Sequence, residues 1–181
     1  MLRLFMLLVL TGCGLAAPPD QRQDQPEDRL LYEAALCKAF REVPVLVSHF
    51  PVQPHHGFLD DARLRPALAT LRDFGLEPGD ASRFSEAVED LGRNNKLLLP
   101  LLSAPDSPCY ALTDYPPFTY RMDDVTPVRV SRPGFSADGM IALVTIDFPG
   151  QSSRTGSEYC AVLARQPNGW RLLRLRPIAI S

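Results

Sequence analysis

The chain lacks the long apolar runs and signature motifs that define most membrane-spanning and enzyme classes. Past the first ten residues, the longest apolar stretch is KLLLPLL at 96–102, far shorter than the roughly 20 residues that a spanning helix needs. The sequence contains no GxSxG, no HExxH, no phosphate loop and no dinucleotide-binding fingerprint. No cofactor is expected, no catalytic residue is assigned, and an enzyme is the less favoured class.

The chain also lacks a net positive charge, which argues against a nucleic-acid partner. The net charge is −2 and the pI is about 5.9. The charge is unevenly distributed: residues 13–120 contain 10 basic and 16 acidic side chains, whereas residues 121–181 contain 8 arginines and 5 acidic side chains. We interpret the C-terminal excess as arginine on the solvent face of strands. A basic face for an anionic ligand or a lipid head group is the alternative.

The N-terminus, in contrast, carries a recognisable export signal. Arg3 precedes an apolar run at 4–10 that is too short to span a bilayer, and Leu10-Thr11-Gly12-Cys13 follows. These four residues resemble the lipobox of bacterial lipoproteins. The resemblance implies cleavage before Cys13, acylation of Cys13 with fatty acids such as palmitate, and a stable anchor in the cell envelope. Gly14, in place of an acidic residue, implies the outer membrane, facing the periplasm. An ordinary secretory signal is the alternative.

This signal divides the chain into three parts. We predict a signal peptide over 1–12, a lipidated cysteine with a flexible tether over 13–28, and a single globular domain over 29–181. The expected partners are the membrane, through the lipid anchor, and an envelope protein or a small ligand. The oligomeric state is left open.

Three cysteines remain if Cys13 carries lipid, so an oxidising periplasm permits one disulfide and leaves one thiol. Cys37 falls on the apolar stripe of a predicted helix, which indicates a small core residue. Cys109 lies in a predicted loop and Cys160 in a predicted strand. We therefore predict a Cys109–Cys160 disulfide, with Cys37 as a buried thiol.

Three helices are predicted in the first half of the domain. EDRLLYEAALCKAF places Leu30, Ala34 and Cys37 on one face, which is widened by Leu31, Leu36 and Phe40. DARLRPALATLRDFG predicts a second helix that ends at Gly75, and GDASRFSEAVEDLG predicts a third that ends at Gly92. The N-cap and the inward-facing residues of the third helix are predicted to be Asp80, Phe84, Val88 and Leu91.

From about residue 126 the apolar period changes to two, which predicts strands. We expect about four, near 126–131, 140–148, 158–165 and 170–180, in an antiparallel meander. The strand at 140–148 is expected to be central because both of its faces are apolar. The fold class is therefore α+β, with N-terminal helices packed on a C-terminal antiparallel sheet. The order of elements is similar to the nuclear-transport-factor-2-like layout, in which a cone-shaped sheet wraps on helices.

The last two strands are predicted to form a hairpin, with Asn168-Gly169 in a type I′ turn. A regular final strand would place Arg174 and Arg176 on one face, as an anion-binding surface. If Trp170 and Leu172 face the core, however, the same alternation buries both arginines. We therefore predict a bulge near Leu172-Leu173 that leaves the arginines exposed in a plain solvent-facing role.

Other polar and aromatic stretches suggest weaker alternatives. His49, His55 and His56 would suit a metal-handling lipoprotein, but their spacing favours a solvated loop, and no metal site is predicted. CYALTDYPPFTYRM predicts an aromatic loop over the open end of the sheet, and GRNNK at 92–96 predicts a helix stop and turn.

Our leading hypothesis is a membrane-anchored, non-enzymatic binding or interaction domain of the cell envelope. The alternative is an envelope hydrolase or isomerase that uses Asp114 or Asp147 as a base in a pocket of the sheet.

Overall fold

Helices come first and antiparallel strands last in the part of the chain that the structure, a computed structural model, describes. That part comprises residues 26–39, 45–48, 51, 54, 68–96, 101, 107, 109–113, 128–148 and 157–180. The helices are α1 (Pro26–Ala39), α2 (Leu68–Asp73) and α3 (Ala81–Asn94), with a 3₁₀ turn at Pro78–Asp80. The strands are β1 (Val45–Ser48), β2 (Tyr110–Thr113), β3 (Arg129–Val130), β4 (Gly134–Phe135), β5 (Ile141–Phe148), β6 (Ser157–Gln166) and β7 (Gly169–Ile180).

The main sheet has the order β3-β5-β6-β7, and β4 also pairs with β5. All of these pairings are antiparallel, and β5 and β6 are in register from Ile141–Ala164 to Phe148–Ser157. The predicted central position of β5 and the α+β mixture of helices with an antiparallel sheet are therefore confirmed.

A short parallel pair was not predicted. β1 pairs with β2 from Val45–Tyr110 to Ser48–Thr113, although the segment around Tyr110 was expected to be a loop. The Val128 amide donates to the Leu46 carbonyl at 2.8 Å, and the Ser48 amide donates to the Val128 carbonyl at 2.9 Å. This isolated bridge links the two-stranded sheet of β1 and β2 to the residue that precedes β3.

Both faces of the main sheet are covered by helices. On β5, Val144 points to one face and packs in a core with α1, while Leu143 points to the other face and packs in a core with α3. We call these the α1 face and the α3 face. Buried residues of α1 on the first face are Leu31, Tyr32, Ala35 and Leu36, and those of α3 on the second are Phe84, Ala87, Val88 and Leu91.

The predicted apolar face of α1 is confirmed at Leu31 and Leu36 and is wrong at Leu30. Leu30 is 53% exposed, whereas Leu31 and Leu36 are buried. The helix is apolar over more than half of its circumference, so periodicity alone does not select the buried face. The Tyr32 hydroxyl donates to the Ser131 carbonyl at 3.1 Å, which orients the helix on the sheet.

The end of α2 agrees with the prediction. Gly75 has a φ of +72°, which favours glycine, and its amide donates to the Arg72 carbonyl at 2.9 Å. The Leu76 amide donates to the Leu71 carbonyl at 2.9 Å, completing a Schellman motif with both leucines buried.

The predicted end of α3 at Gly92 is wrong, since the helix continues to Asn94. Its last turn docks on the segment 131–137 through buried amide side chains. The Asn94 side chain donates to the Pro133 carbonyl at 2.9 Å, and the Asn95 side chain donates to the Arg132 carbonyl at 2.9 Å. The Arg132 amide donates back to Asn95 at 2.8 Å.

Gly134 sits where β4 comes closest to α3. A Cβ atom on Gly134 would overlap the backbone of Ala87 and Leu91. The Asp90 carboxylate accepts from the Phe135 amide at 2.9 Å and holds the two backbones together at this point. Glycine is therefore required here by the close approach of strand and helix.

Gly134→Ala is expected to lower the free energy of unfolding by about 2–3 kcal/mol, because the helix or the strand must shift to admit the methyl group. Gly79→Ala is the matched control, since nothing lies within 4 Å of a Cβ at that position. Urea unfolding of both variants measures the difference. Equal unfolding free energies for the two would contradict the close approach.

Candidate functional site

Several predicted site residues lie outside the described residues. These are the lipidation residue Cys13, the histidines His49, His55 and His56, and Asp114, so the lipid anchor and the metal hypothesis stay predictions. Within the described ranges, no group of three or more His, Cys, Asp or Glu side chains is placed to hold a metal ion. No helix among those ranges is long and apolar enough to cross a membrane.

The predicted disulfide is wrong. The structure bonds Cys37 to Cys109, with a Cα–Cα distance of 5.1 Å, and leaves Cys160 as a free thiol. Cys37 lies at the edge of the buried face of α1, next to the start of β2. The Val45 amide donates to the Cys109 carbonyl at 3.0 Å, so the disulfide joins α1 to the parallel strand pair.

Cys160 could not reach Cys109 because it lies in the middle of β6 on the α3 face. It is fully buried and pairs with Thr145 of β5. Burial, reinforced by the charge of Glu158, raises the pKa of the Cys160 thiol far above its ordinary value. The thiol therefore stays protonated and has no reactive thiolate character at neutral pH.

Two carboxylates lie side by side where β5 ends and β6 begins. Asp147 and Glu158 are directly paired across the two strands, and each is 9% exposed. The Arg129 guanidinium donates to Asp147 at 2.8 Å from Nε and also from its terminal nitrogen. Arg129 therefore compensates the charge of Asp147, the candidate base of the enzyme hypothesis, in an arrangement typical of a structural ion pair.

Tyr110 is the member of the aromatic stretch that the structure describes with its side chain. It is buried beside α1, and its hydroxyl has no hydrogen-bond partner in the part of the chain that the structure describes. Burial, with a contribution from the charge of Glu33, raises the pKa of Tyr110 to about 12. Tyr110 is thus part of the core, as expected for an aromatic segment that covers the sheet, while Tyr115, Phe118 and Tyr120 lie outside the described residues.

The hairpin of β6 and β7 is confirmed, but its turn is displaced by one residue. β6 ends at Gln166 and β7 begins at Gly169, so Pro167 and Asn168 occupy the two central positions. Proline prefers the first central position because its fixed φ suits the turn. Glycine is favoured at the position directly after the two central residues, which is Gly169 here. Gly169 has a φ of +123°.

The predicted bulge in β7 is confirmed. Leu163 pairs with Leu172 and Val162 pairs with Arg174, so Leu173 is the extra residue. Leu172 packs toward the α1 face and Leu173 toward the α3 face. Arg171, Arg174 and Arg176 are exposed, as expected.

Trp170 stays on the α1 face, where it packs against Phe135 with ring centroids 5.8 Å apart. The guanidinium of Arg165, its cross-strand partner, lies 5.7 Å from the centre of the indole ring. This places the single tryptophan at the exposed end of the hairpin, one residue from Arg171.

The polar residues that sequence reasoning missed are Asn94 and Asn95. GRNNK predicts a helix stop and turn, yet both asparagines are buried and bind backbone groups of 132–133. Buried side-chain amides must be paired. Two asparagines at the end of a helix, however, give no indication in the sequence of a partner almost 40 residues away.

Replacing both Cys37 and Cys109 with alanine is expected to lower the free energy of unfolding by about 4 kcal/mol, because the disulfide closes a long loop. Cys160→Ala removes only one buried sulfur and should cost about 1 kcal/mol. Urea unfolding compares the variants, and non-reducing peptide mapping identifies the bond. A map with Cys160 bridged would refute the Cys37–Cys109 assignment.

Tyr110→Phe is expected to leave stability at neutral pH unchanged or slightly higher, because the lost hydroxyl has no partner among the described residues. The folded-state pKa of about 12 lies above the ordinary value of 10.0, so Tyr110 weakens folding only as the pH rises above 10. The loss should approach about 1.4 kcal/mol per pH unit up to pH 12.

The variant should therefore resist alkaline unfolding better than the wild type, whereas Tyr159→Phe, which keeps Tyr110, should not. Urea unfolding at neutral pH and just above pH 10 measures this difference. Parallel alkaline losses in wild type and Tyr110→Phe would show that the Tyr110 hydroxyl is not protected by burial.

Comparison with known proteins adds no relative. No protein-family model matches the chain, and no curated protein or solved structure matches it. The function is therefore argued from the chain's own residues.

Proposed function

We propose that the protein is a lipoprotein of the bacterial cell envelope, anchored through Cys13 and facing the periplasm from the outer membrane. The observation that supports this most directly is the Cys37–Cys109 disulfide. Structural disulfides persist in oxidising compartments such as the periplasm and are rare in the cytosol. A chain with this bond needs an export signal, and residues 1–12 resemble one.

The distribution of the four cysteines supports the same proposal. Cys37 and Cys109 are joined to each other, and Cys160 is enclosed in the core on the α3 face. Cys13 is thus the one cysteine with no role in the described fold, and it stands at the position where the lipobox pattern requires an acylated residue. The four cysteines then divide into one disulfide pair, one buried thiol and one site for the lipid.

We further propose that the domain acts by binding rather than by catalysis. The two faces of the main sheet are packed against helices, and the charge of Asp147 is compensated by Arg129. Cys160 is a buried, protonated thiol. These features give little support to the alternative of an envelope hydrolase or isomerase with a pocket in the sheet.

The cone-shaped, nuclear-transport-factor-2-like layout stays a prediction. In that layout the helices lie within the concave side of one curved sheet. Here α1 and α3 pack on opposite faces of the main sheet. This two-sided packing favours a layered α+β arrangement.

Cys13→Ser should abolish lipidation and leave unprocessed or mislocalised precursor, because serine cannot form the thioether to the lipid. Labelling cells with radioactive palmitate and fractionating their membranes measures both effects. The control is the double variant Cys37→Ser, Cys109→Ser, which removes two other cysteines and should keep its label. Label retained on Cys13→Ser would disprove the lipoprotein assignment.

A further inference from the structure

The bulge in β7 places three exposed arginines on the same side of the sheet. Arg171 pairs with Ala164, Arg174 with Val162 and Arg176 with Cys160. These β6 partners alternate along the strand, and all three pack toward the α3 face. Directly paired residues on antiparallel strands project to the same face, so the three arginines do too.

Successive members of this row are separated by two residues of β6, which corresponds to about 7 Å. We call Arg171, Arg174 and Arg176 the arginine row. Solvent exposure alone predicted a plain role for these side chains. Because the three side chains share one face, they form a continuous positive surface.

Few negative charges accompany the arginine row. Arg176 pairs with Asp73 at the end of α2 at 2.8 Å, and both side chains are about half exposed. Among the described residues, no carboxylate forms an ion pair with Arg171 or Arg174. Arg72, also exposed, adds a further positive charge beside Asp73. The surface therefore keeps a net positive charge in a protein whose overall charge is −2.

The shape of this surface disfavours two kinds of partner. A single small anion needs donors that converge on one point, but these guanidinium groups are spread along an exposed strand. An added peptide strand needs a regular edge, yet β7 has register shifts opposite Val162/Leu163 and Glu158/Tyr159 and carries Pro177. A surface that carries many separate negative charges matches the spacing of the arginine row better than either of these partners.

We propose that the arginine row docks the domain on an anionic phospholipid surface. The proposal rests on the proposed lipid anchor, which would hold the domain within reach of the membrane. Each arginine near such a surface contributes to docking through the negative surface potential, and the effect decays within a Debye length. The anchor retains the protein at the membrane, and the arginine row sets which side of the domain faces the lipid.

Trp170, the only tryptophan, provides an internal probe because it lies next to Arg171. The full lipidated protein is reconstituted into vesicles of phosphatidylcholine alone or with added phosphatidylglycerol, each carrying a dansyl-labelled lipid. Energy transfer from Trp170 to the dansyl group measures how close β7 lies to the bilayer. We expect stronger transfer with phosphatidylglycerol, and loss of that increase at high salt.

The test variant is Arg171→Gln, Arg174→Gln, Arg176→Gln, which keeps Arg165 against the indole ring. Its docking equilibrium constant should fall on the order of 100-fold. The matched control is Lys38→Gln, Arg93→Gln, Lys96→Gln, which removes the same charge from exposed positions on α1 and at the end of α3. The control should keep most of the lipid-dependent transfer, and thermal melts verify that both variants fold.

Flotation on phosphatidylcholine vesicles tests the anchor separately. If the protein floats but shows equal energy transfer on both lipids, docking is overturned and the anchor stands. The same conclusion follows if the test and control variants lose energy transfer equally. Protein that does not float on either vesicle overturns both. If soluble polyglutamate at equal charge concentration displaces the domain from the lipid, the row recognises an acidic polypeptide, which also overturns the proposal.

Discussion

The close contact between β4 and α3 at Gly134 is the constraint on which the rest of the fold depends. There is no room for a side chain between the strand and the helix, so the two backbones are held together by polar groups instead. Asp90 binds the Phe135 amide, and Asn95 binds both the amide and the carbonyl of Arg132. These bonds satisfy backbone groups that a covered edge segment would otherwise leave unpaired.

The same short segment also connects the other layers. The Ser131 amide donates to the Thr145 carbonyl at 2.9 Å, and the Thr145 amide donates to the Ser131 hydroxyl at 2.9 Å, which ties the segment to β5. On the α1 face, Tyr32 donates to the Ser131 carbonyl. Both helices are therefore positioned on the sheet by contacts with residues 131–135, and the burial of the two cores follows from that arrangement.

The sequence pattern predicted those parts of the structure that depend mainly on the chemistry of neighbouring residues. β5 is apolar on both faces and is central, Gly75 has the positive φ that ends α2, and the cost of burying arginine locates the bulge at Leu173. The predictions that were wrong concern which residues, far apart in the sequence, contact each other. The pairing of Cys37 with Cys109 depends on where α1 meets β2, which no spacing of residues encodes. Asn94 likewise bonds to a carbonyl 39 residues away.

The disulfide acquires a mechanical meaning if the chain is anchored at Cys13. A tether that ends at α1 transmits any pull from the membrane to that helix first. The links of α1 to the rest of the domain include the Tyr32 hydrogen bond to Ser131 and, in its last turn, the Cys37–Cys109 bond. A hydrogen bond contributes only about 1 kcal/mol net, whereas the covalent bond persists through local opening of the helix. The disulfide would therefore keep α1 attached to the strand pair β1–β2 while the domain moves on its tether.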